Sequence, residues 1–234
     1  MELQVIARVR SPFGTKFGVP RQSGLVPALR SELVFEPDYR SKDSLRGLEG
    51  FSHLWLIWGF SENADRGWSP TVRPPRLGGN ARVGVFASRS PFRPNPLGLS
   101  CVRLEKIRWE DPRGPVLVLG GADLTDGTPV YDIKPYLTYA DSVPEATGGF
   151  TGGEKPTLKP VICPEEVRAS LPGETWEALA GVLACDPRPH YHSDPERVYG
   201  FTFAGREVRF TATEEAVRVL SVSEAGEPQK GETP

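Results

Sequence analysis

The chain has 234 residues, 38% of them hydrophobic and 25% charged, with a net charge of −2. That is enough to bury a real core, as one large domain or as a medium and a small one. No apolar run approaches the roughly 18 to 20 residues that cross a bilayer, and residues 1–10 lack a basic region followed by an apolar block, so the reading is a cytoplasmic protein with no membrane partner.

In chain order, residues 3–9 and 32–35 read as strands. Residues 53–60, HLWLIWGF, are nearly continuously apolar and read as a buried strand. Strands follow at 82–87, 98–107 and 116–119. No long amphipathic helix separates them, so an antiparallel sheet curled into a barrel is expected rather than βαβ units. Long loops at 11–27, 68–80 and 90–96 are rich in proline and glycine, and loops of that length in a compact domain are usually functional or disordered. Residues 141–160 are poor in hydrophobic residues and read as a linker. Beyond it, residues 164–183 fit a helix with a break at Leu171-Pro172-Gly173, and strands are expected at 198–203, 206–212 and 216–222. Ala204-Gly205 is a two-residue hairpin loop. The tail after Glu224 is polar and reads as disordered. The fold class is therefore mainly β: an antiparallel β-barrel over residues 1–140, a linker over 141–160, a small α+β domain over 161–224, and a tail over 225–234.

Charge is unevenly distributed. Between Leu3 and Ser31 there is no acidic residue, but there are Arg8, Arg10, Lys16, Arg21 and Arg30. Between Arg66 and Leu104 there is again none, and Arg66, Arg73, Arg76, Arg82, Arg89, Arg93 and Arg103 fall there. Such blocks create a local positive field in a near-neutral chain. Arginine's planar fork suits bidentate capture of phosphate or carboxylate. Both an anionic ligand and several unrelated basic surfaces fit the pattern. The scattered cysteines Cys101, Cys163 and Cys185 form no CxxC pair and no disulfide framework. Cys185, His190 and His192 match no standard zinc spacing, so no metal is expected.

Common cofactor motifs are missing: there is no GxGxxG after a strand, no P-loop, no GxSxG and no HExxH. Five proline- and glycine-stiffened segments are present instead. They are Ser11-Pro12-Phe13-Gly14 running on to Pro20-Arg21-Gln22, residues 68–80 (WSPTVRPPRLGGN), residues 85–100 (VFASRSPFRPNPLGLS), residues 123–136 (DLTDGTPVYDIKPY) and residues 186–191 (DPRPHY). Prolines lower the entropy lost when a loop binds, and glycines let the backbone approach a ligand. Taken singly, each is equally compatible with a structural turn.

Together the five segments resemble the TrmO family of tRNA methyltransferases over nearly the whole chain, with Thr125, Tyr131 and His190 as small departures. The resemblance implies a β-barrel that binds S-adenosylmethionine outside the Rossmann scheme, and a homodimer. It also implies methylation of N6 of threonylcarbamoyl-adenosine at tRNA position 37. It implies cofactor contacts at Pro20, Arg21, Gln22, Phe60, Ser61, Arg89, Leu99, Asp123, Leu124, Thr125 and Asp126. Arg89 would meet the cofactor carboxylate, Gln22 its adenine or amino-acid end, and Leu99 an apolar face. Asp123 or Asp126 would take ribose hydroxyls or the α-amino group. Asp126 or a backbone carbonyl could accept the N6 proton. Phosphate contact is the alternative for Arg21 and Arg89. Candidates for the tRNA surface, or in part for a subunit interface, are Arg66, Arg73, Arg76, Arg82, Arg93 and Arg188. The competing reading from another class is a non-catalytic RNA-binding module that uses the same arginines and nearby aromatic rings.

Overall fold

The computed structural model describes residues 2–61, 67–74, 77–78, 80–152, 157–188 and 194–225. The strands of the first half are β1 (Ala7–Arg10), β2 (Arg30–Phe35), β3 (His53–Gly59), β4 (Thr71–Val72), β5 (Val83–Gly84), β6 (Leu97–Arg108), β7 (Val116–Gly120) and β8 (Pro129–Pro135). Six of them close an antiparallel barrel in the order β1-β2-β7-β6-β3-β8. Closure comes from Ala7, which lies opposite Phe35 on one side and Val130 on the other.

The barrel interior follows from period-two alternation. Ala7 and Val9, Leu33 and Phe35, Leu54 and Leu56, Val102 and Leu104, and Leu117 and Leu119 point inward and form one core. On β3 the same parity carries Trp58 inward, where it packs on that core near the end of the strand. The apolar run 53–60, read as a buried strand, is buried mainly on one face: Trp55 and Ile57 on the other face are partly exposed. Strand β8 was not legible in advance, because its two prolines and two charges read as a turn. It pairs with β3 through a bulge: Ile57 faces Asp132 while Trp58 faces Val130, which leaves Tyr131 as the extra residue.

Strands β4 and β5 form a short hairpin arm outside the barrel. The strand expected over 82–87 is limited to Val83–Gly84, after which Val85–Ala87 turn into a 3-10 helix around the buried Val85.

After β8 comes a one-turn helix, α1 (Thr138–Asp141), and an exposed stretch. The second half holds β9 (Val161–Ile162), α2 (Glu165–Ala169), α3 (Gly173–Ala184), β10 (Tyr199–Phe203), β11 (Arg206–Ala212) and β12 (Val217–Glu224). The helix break falls as expected, with Pro172 at the N-cap of α3. The four strands form a sheet in the order β10-β11-β12-β9, with β9 parallel to β12. At the β10–β11 turn Ala204 and Gly205 both have positive φ, 50° and 74°, as a two-residue hairpin loop requires.

The two halves share a core. Phe13, Val26 and Leu29, from the long loop between β1 and β2, are buried among Leu179, Leu183, Phe201, Phe203 and Phe210 of the C-terminal half. Phe17 lies edge-on to Phe201 and stacks on Tyr199 and Phe210. The first long loop is therefore held by the C-terminal sheet.

Candidate functional site

The end of the barrel beside Trp58 opens into a cavity of about 520 Å³. It is built from four chain segments: the loop at Lys16 to Gln22, the end of β3 with Phe60 and Ser61, the segment from Ser88 through Arg93 into the start of β6, and the turn after β7. Its volume lies within the roughly 300 to 1,000 Å³ common for small-molecule sites.

Local sequence explains how the walls come together. Gly98 faces Trp58 across β3 and β6, and a Cβ there would lie 2.2 Å from the indole ring. The missing side chain lets the indole lie flat on the strand. Its Nε1–H donates to Ser100 Oγ at 3.0 Å, and Ser100 Oγ–H donates to Asp123 Oδ1 at 2.7 Å. Gly59 ends β3 where the Tyr131 hydroxyl fills the space a Cβ would take, at 2.5 Å. Phe60 then turns back onto Trp58, with ring centroids 4.3 Å apart. Tyr131 thus packs against the strand end rather than lining the cavity.

Asp123 is the one carboxylate among the described residues lining this cavity. Burial pushes its carboxyl above the usual range. The hydrogen bonds from Ser100 and from the backbone N–H groups of Asp123 and Ser23, with the Arg89 charge nearby, pull the other way. Arg89 donates through Nη1 to Gln22 Oε1, which orients a cation on the facing wall. Leu97, Leu99, Leu124 and Val19 supply apolar surface, and Leu99 is 52% exposed.

Ten of the eleven expected cofactor residues line the cavity: Pro20, Arg21, Gln22, Phe60, Ser61, Arg89, Leu99, Asp123, Leu124 and Thr125. Asp126 does not. The chain reverses at Gly127 (φ +77°) and turns the Asp126 carboxylate outward, where it accepts from the Ser11 N–H at 3.0 Å and Arg10 Nη1 at 3.3 Å. It pins the first loop and is withdrawn as the proton acceptor. Trp58, Ser100, Gly98, Lys16 and Thr128 also line the cavity and were missed. The parity of Leu54 and Leu56 could have found Trp58. Nothing in the sequence signals the Ser100–Asp123 bond.

The arginines expected to meet RNA divide. Arg188 is only 5% exposed. Its guanidinium donates to Asp186, to the carbonyls of Ala212 and Thr213, and to Glu214. It staples the C-terminal sheet and is corrected from phosphate contact to structural residue. Arg93 lines the cavity and spends Nη1 on the carbonyls of Val85 and Ser88, at 3.0 and 2.7 Å. Arg82 donates to Thr71 Oγ1 across the arm at 3.0 Å. Arg73 lies on the same arm beyond β4. Arg66 and Arg76, like His190 and His192, lie outside the described residues. Among the described residues no group of His, Cys, Asp and Glu is placed to hold a metal, and no helix is long and apolar enough to cross a membrane.

Comparisons with known proteins bear on this site. Residues 8–142 match the family model of the tRNA-methyltransferase O N-terminal domain, and residues 161–225 match the TrmO C-terminal domain. The tRNA (adenine(37)-N6)-methyltransferase of Escherichia coli (strain K12) is 42% identical over 231 residues, covering 94% of this chain and 97% of that protein. A protein of Methanothermobacter thermautotrophicus named "Probable S-adenosyl-L-methionine-binding protein" is 39% identical over 145 residues, 61% of this chain and 96% of its own length. The crystal structure of TrmO from Pseudomonas aeruginosa superposes with a TM-score of 0.77 at 35% identity, covering 96% of this chain and 97% of that one. With both halves of the sequence matched and the barrel and its appended sheet reproduced, the chain belongs to the TrmO family of tRNA methyltransferases.

Proposed function

We propose that the barrel cavity binds S-adenosylmethionine and that the protein methylates N6 of adenosine 37 in tRNA, acting on the threonylcarbamoyl-modified nucleoside. The observation that carries this reading is the convergence of ten of the eleven expected cofactor residues, from four chain segments, on one cavity of about 520 Å³.

The residues present suit the cofactor. Arg89, oriented by Gln22, fits a carboxylate. Asp123, held by Ser100, fits a ribose diol or an α-amino group. Leu99, Leu124 and Val19 fit the faces of a purine. The rings of Trp58 and Phe60 offer π surface to a cation, with less ground-state stabilisation than a carboxylate beside it would give. When bound, S-adenosylmethionine supplies an electrophilic methyl group.

The protein's own contribution is chiefly positional. The bonds from Trp58 to Ser100 to Asp123 and from Arg89 to Gln22 fix the cavity walls before any ligand arrives, so little ordering remains to be done on binding. Holding two reactants in line is worth roughly 7 to 11 kcal/mol in favourable cases. Arginines around the mouth favour a polyanion, and a homodimer is the assembly proposed for the working enzyme.

Calorimetric titration with S-adenosylmethionine tests the site. The wild type is expected to bind, and Arg89→Ala to weaken binding roughly tenfold to a hundredfold through loss of a charge-assisted contact. Absence of binding to the wild type, with tRNA affinity retained, would leave a non-catalytic RNA-binding module instead.

A further inference from the structure

We propose that the β4–β5 arm presents Phe86 as a stacking platform for an unpaired anticodon-loop base beside the adenosine that enters the cavity. The proposal rests on the reading of the cavity as the methyl-transfer site.

Phe86 is 73% exposed, although its neighbour Val85 is fully buried. A single exposed apolar side chain is ordinary on a protein surface; what sets Phe86 apart is that the turn beneath it is clamped. The Val85 carbonyl accepts from the Ser88 N–H at 3.2 Å, from Ser88 Oγ at 2.9 Å and from Arg93 Nη1 at 3.0 Å. The same Arg93 nitrogen also bonds the Ser88 carbonyl. With its guanidinium so fixed, Arg93 places Cζ 5.5 Å from the Phe86 ring centroid. One side of the ring is therefore backed by a cation and the residue is otherwise largely open.

Placement adds the second argument. Ser88, Arg89 and Arg93 all line the cavity, so the turn that carries Phe86 is part of its rim. Trp68, on the other side of the arm, is 57% exposed, and its neighbour Ser69 bonds the Phe92 carbonyl at 3.1 Å. No acidic residue occurs between Arg66 and Leu104. An exposed ring amid arginine and without acids matches single-stranded nucleic acid, which brings phosphates and flat bases together. A second copy of this chain meeting the rim across a two-fold axis would bring its arginines against themselves, so charge favours RNA as the occupant.

The proposed chemistry has a use for such a surface. A nucleobase that enters a recessed cavity must leave its stack, and its neighbour then loses a stacking partner. Phe86, two residues before the cavity-lining Ser88, is the ring offered in that partner's place, and stacking tolerates any base there because every base has a π face.

The test uses full-length protein and tRNA, with Phe86→Ala, Phe86→Leu and Phe86→Trp. The cofactor constant, titrated without RNA, is expected to match the wild type in all three, because Phe86 does not line the cavity. The KM for tRNA is expected to rise about tenfold to a hundredfold in Phe86→Ala and Phe86→Leu, and to stay near wild type in Phe86→Trp. In a Phe86→Trp variant whose native tryptophan signals are subtracted using the wild type, tRNA is expected to quench the new fluorescence. If Phe86→Leu keeps the wild-type KM, stacking is not the role and the proposal falls. If Phe86→Ala shifts the sedimentation of the free protein while KM per assembled unit is unchanged, Phe86 is a contact between copies and the proposal also falls. Failure of the wild type to bind S-adenosylmethionine would instead strike the underlying reading of the cavity.

Discussion

Gly18 abuts Phe201 so closely that a Cβ on the glycine would lie 2.6 Å from the ring, and its φ of +92° is one that side chains rarely adopt. The contact joins the loop that ends in Pro20, Arg21 and Gln22 to the C-terminal sheet. The sheet therefore bears on the cavity without lining it. Gly18→Ala is expected to cost about 2 to 4 kcal/mol in stability, from strained φ and overpacking. It is also expected to weaken S-adenosylmethionine binding. Adding Phe201→Leu should restore part of both losses, since it makes room for the new methyl group. Thermal melts with and without cofactor read the two effects together.

Asp123 supplies a prediction in pH. Its carboxyl is raised by burial, so the folded protein holds that proton more tightly than the unfolded chain does. The stability it contributes is full below the ordinary aspartate value, near 3.9, and is lost as pH rises through the raised one. Ionising it in the folded protein is thus a cost. Asp123→Asn, which cannot ionise, is expected to gain in melting temperature on the wild type as pH rises through that window, while weakening the cofactor. Melting curves of the two proteins that stay parallel across the window would contradict the assignment.

Gly98→Ala tests how the cavity wall is made. The new methyl group would meet the Trp58 ring at 2.2 Å. The indole must leave Ser100, and Ser100 loses the donor that fixes its bond to Asp123. A stability loss of about 1 to 3 kcal/mol is expected, with a shift in tryptophan emission and a larger loss of cofactor affinity than in Ser100→Ala.

Arg188 and Arg82 separate structural from RNA-facing arginines. Arg188→Ala takes the donor from the Ala212 carbonyl and leaves Asp186 and the Thr213 carbonyl to Lys159 alone, and is expected to cost about 1 to 3 kcal/mol. The salt dependence of tRNA binding should be unchanged in the folded variant. Arg73→Ala and Arg82→Ala should do the reverse. Each is expected to keep the melting temperature and to lower the slope of log affinity against log salt by about 0.7 to 1. Binding isotherms at several salt concentrations decide it.

What could be read from the residues, and what could not, has a physical pattern. Strands β1, β2, β6 and β7 were legible because Ala7 and Val9, or Leu117 and Leu119, mark an inward face by spacing alone. Strand β8 was not, since Pro129, Asp132, Lys134 and Pro135 read as a turn until β1 and β3 are placed on either side. In the turn after β7, Asp123 and Asp126 look alike. Only the reversal at Gly127 sends one carboxylate to Ser100 and the other to Ser11. Arg188 reads as one more surface cation, and its burial depends on Ala212 and Thr213, which are distant in sequence. The arginine-rich stretch from 66 to 104 was legible as a field but not as parts. Within it Arg89 joins the cavity, Arg93 braces a turn, and Phe86, which charge alone would never single out, stands exposed on the rim.

Methyl transfer to tRNA is read most plainly by nucleoside mass spectrometry. Purified protein is incubated with methyl-labelled S-adenosylmethionine and tRNA carrying threonylcarbamoyl-adenosine, and the RNA is digested. One labelled methyl group is expected on that nucleoside, carried on N6, with a strong loss of label in Arg89→Ala. Label on another nucleoside, or no label from protein that binds both cofactor and tRNA, would contradict it.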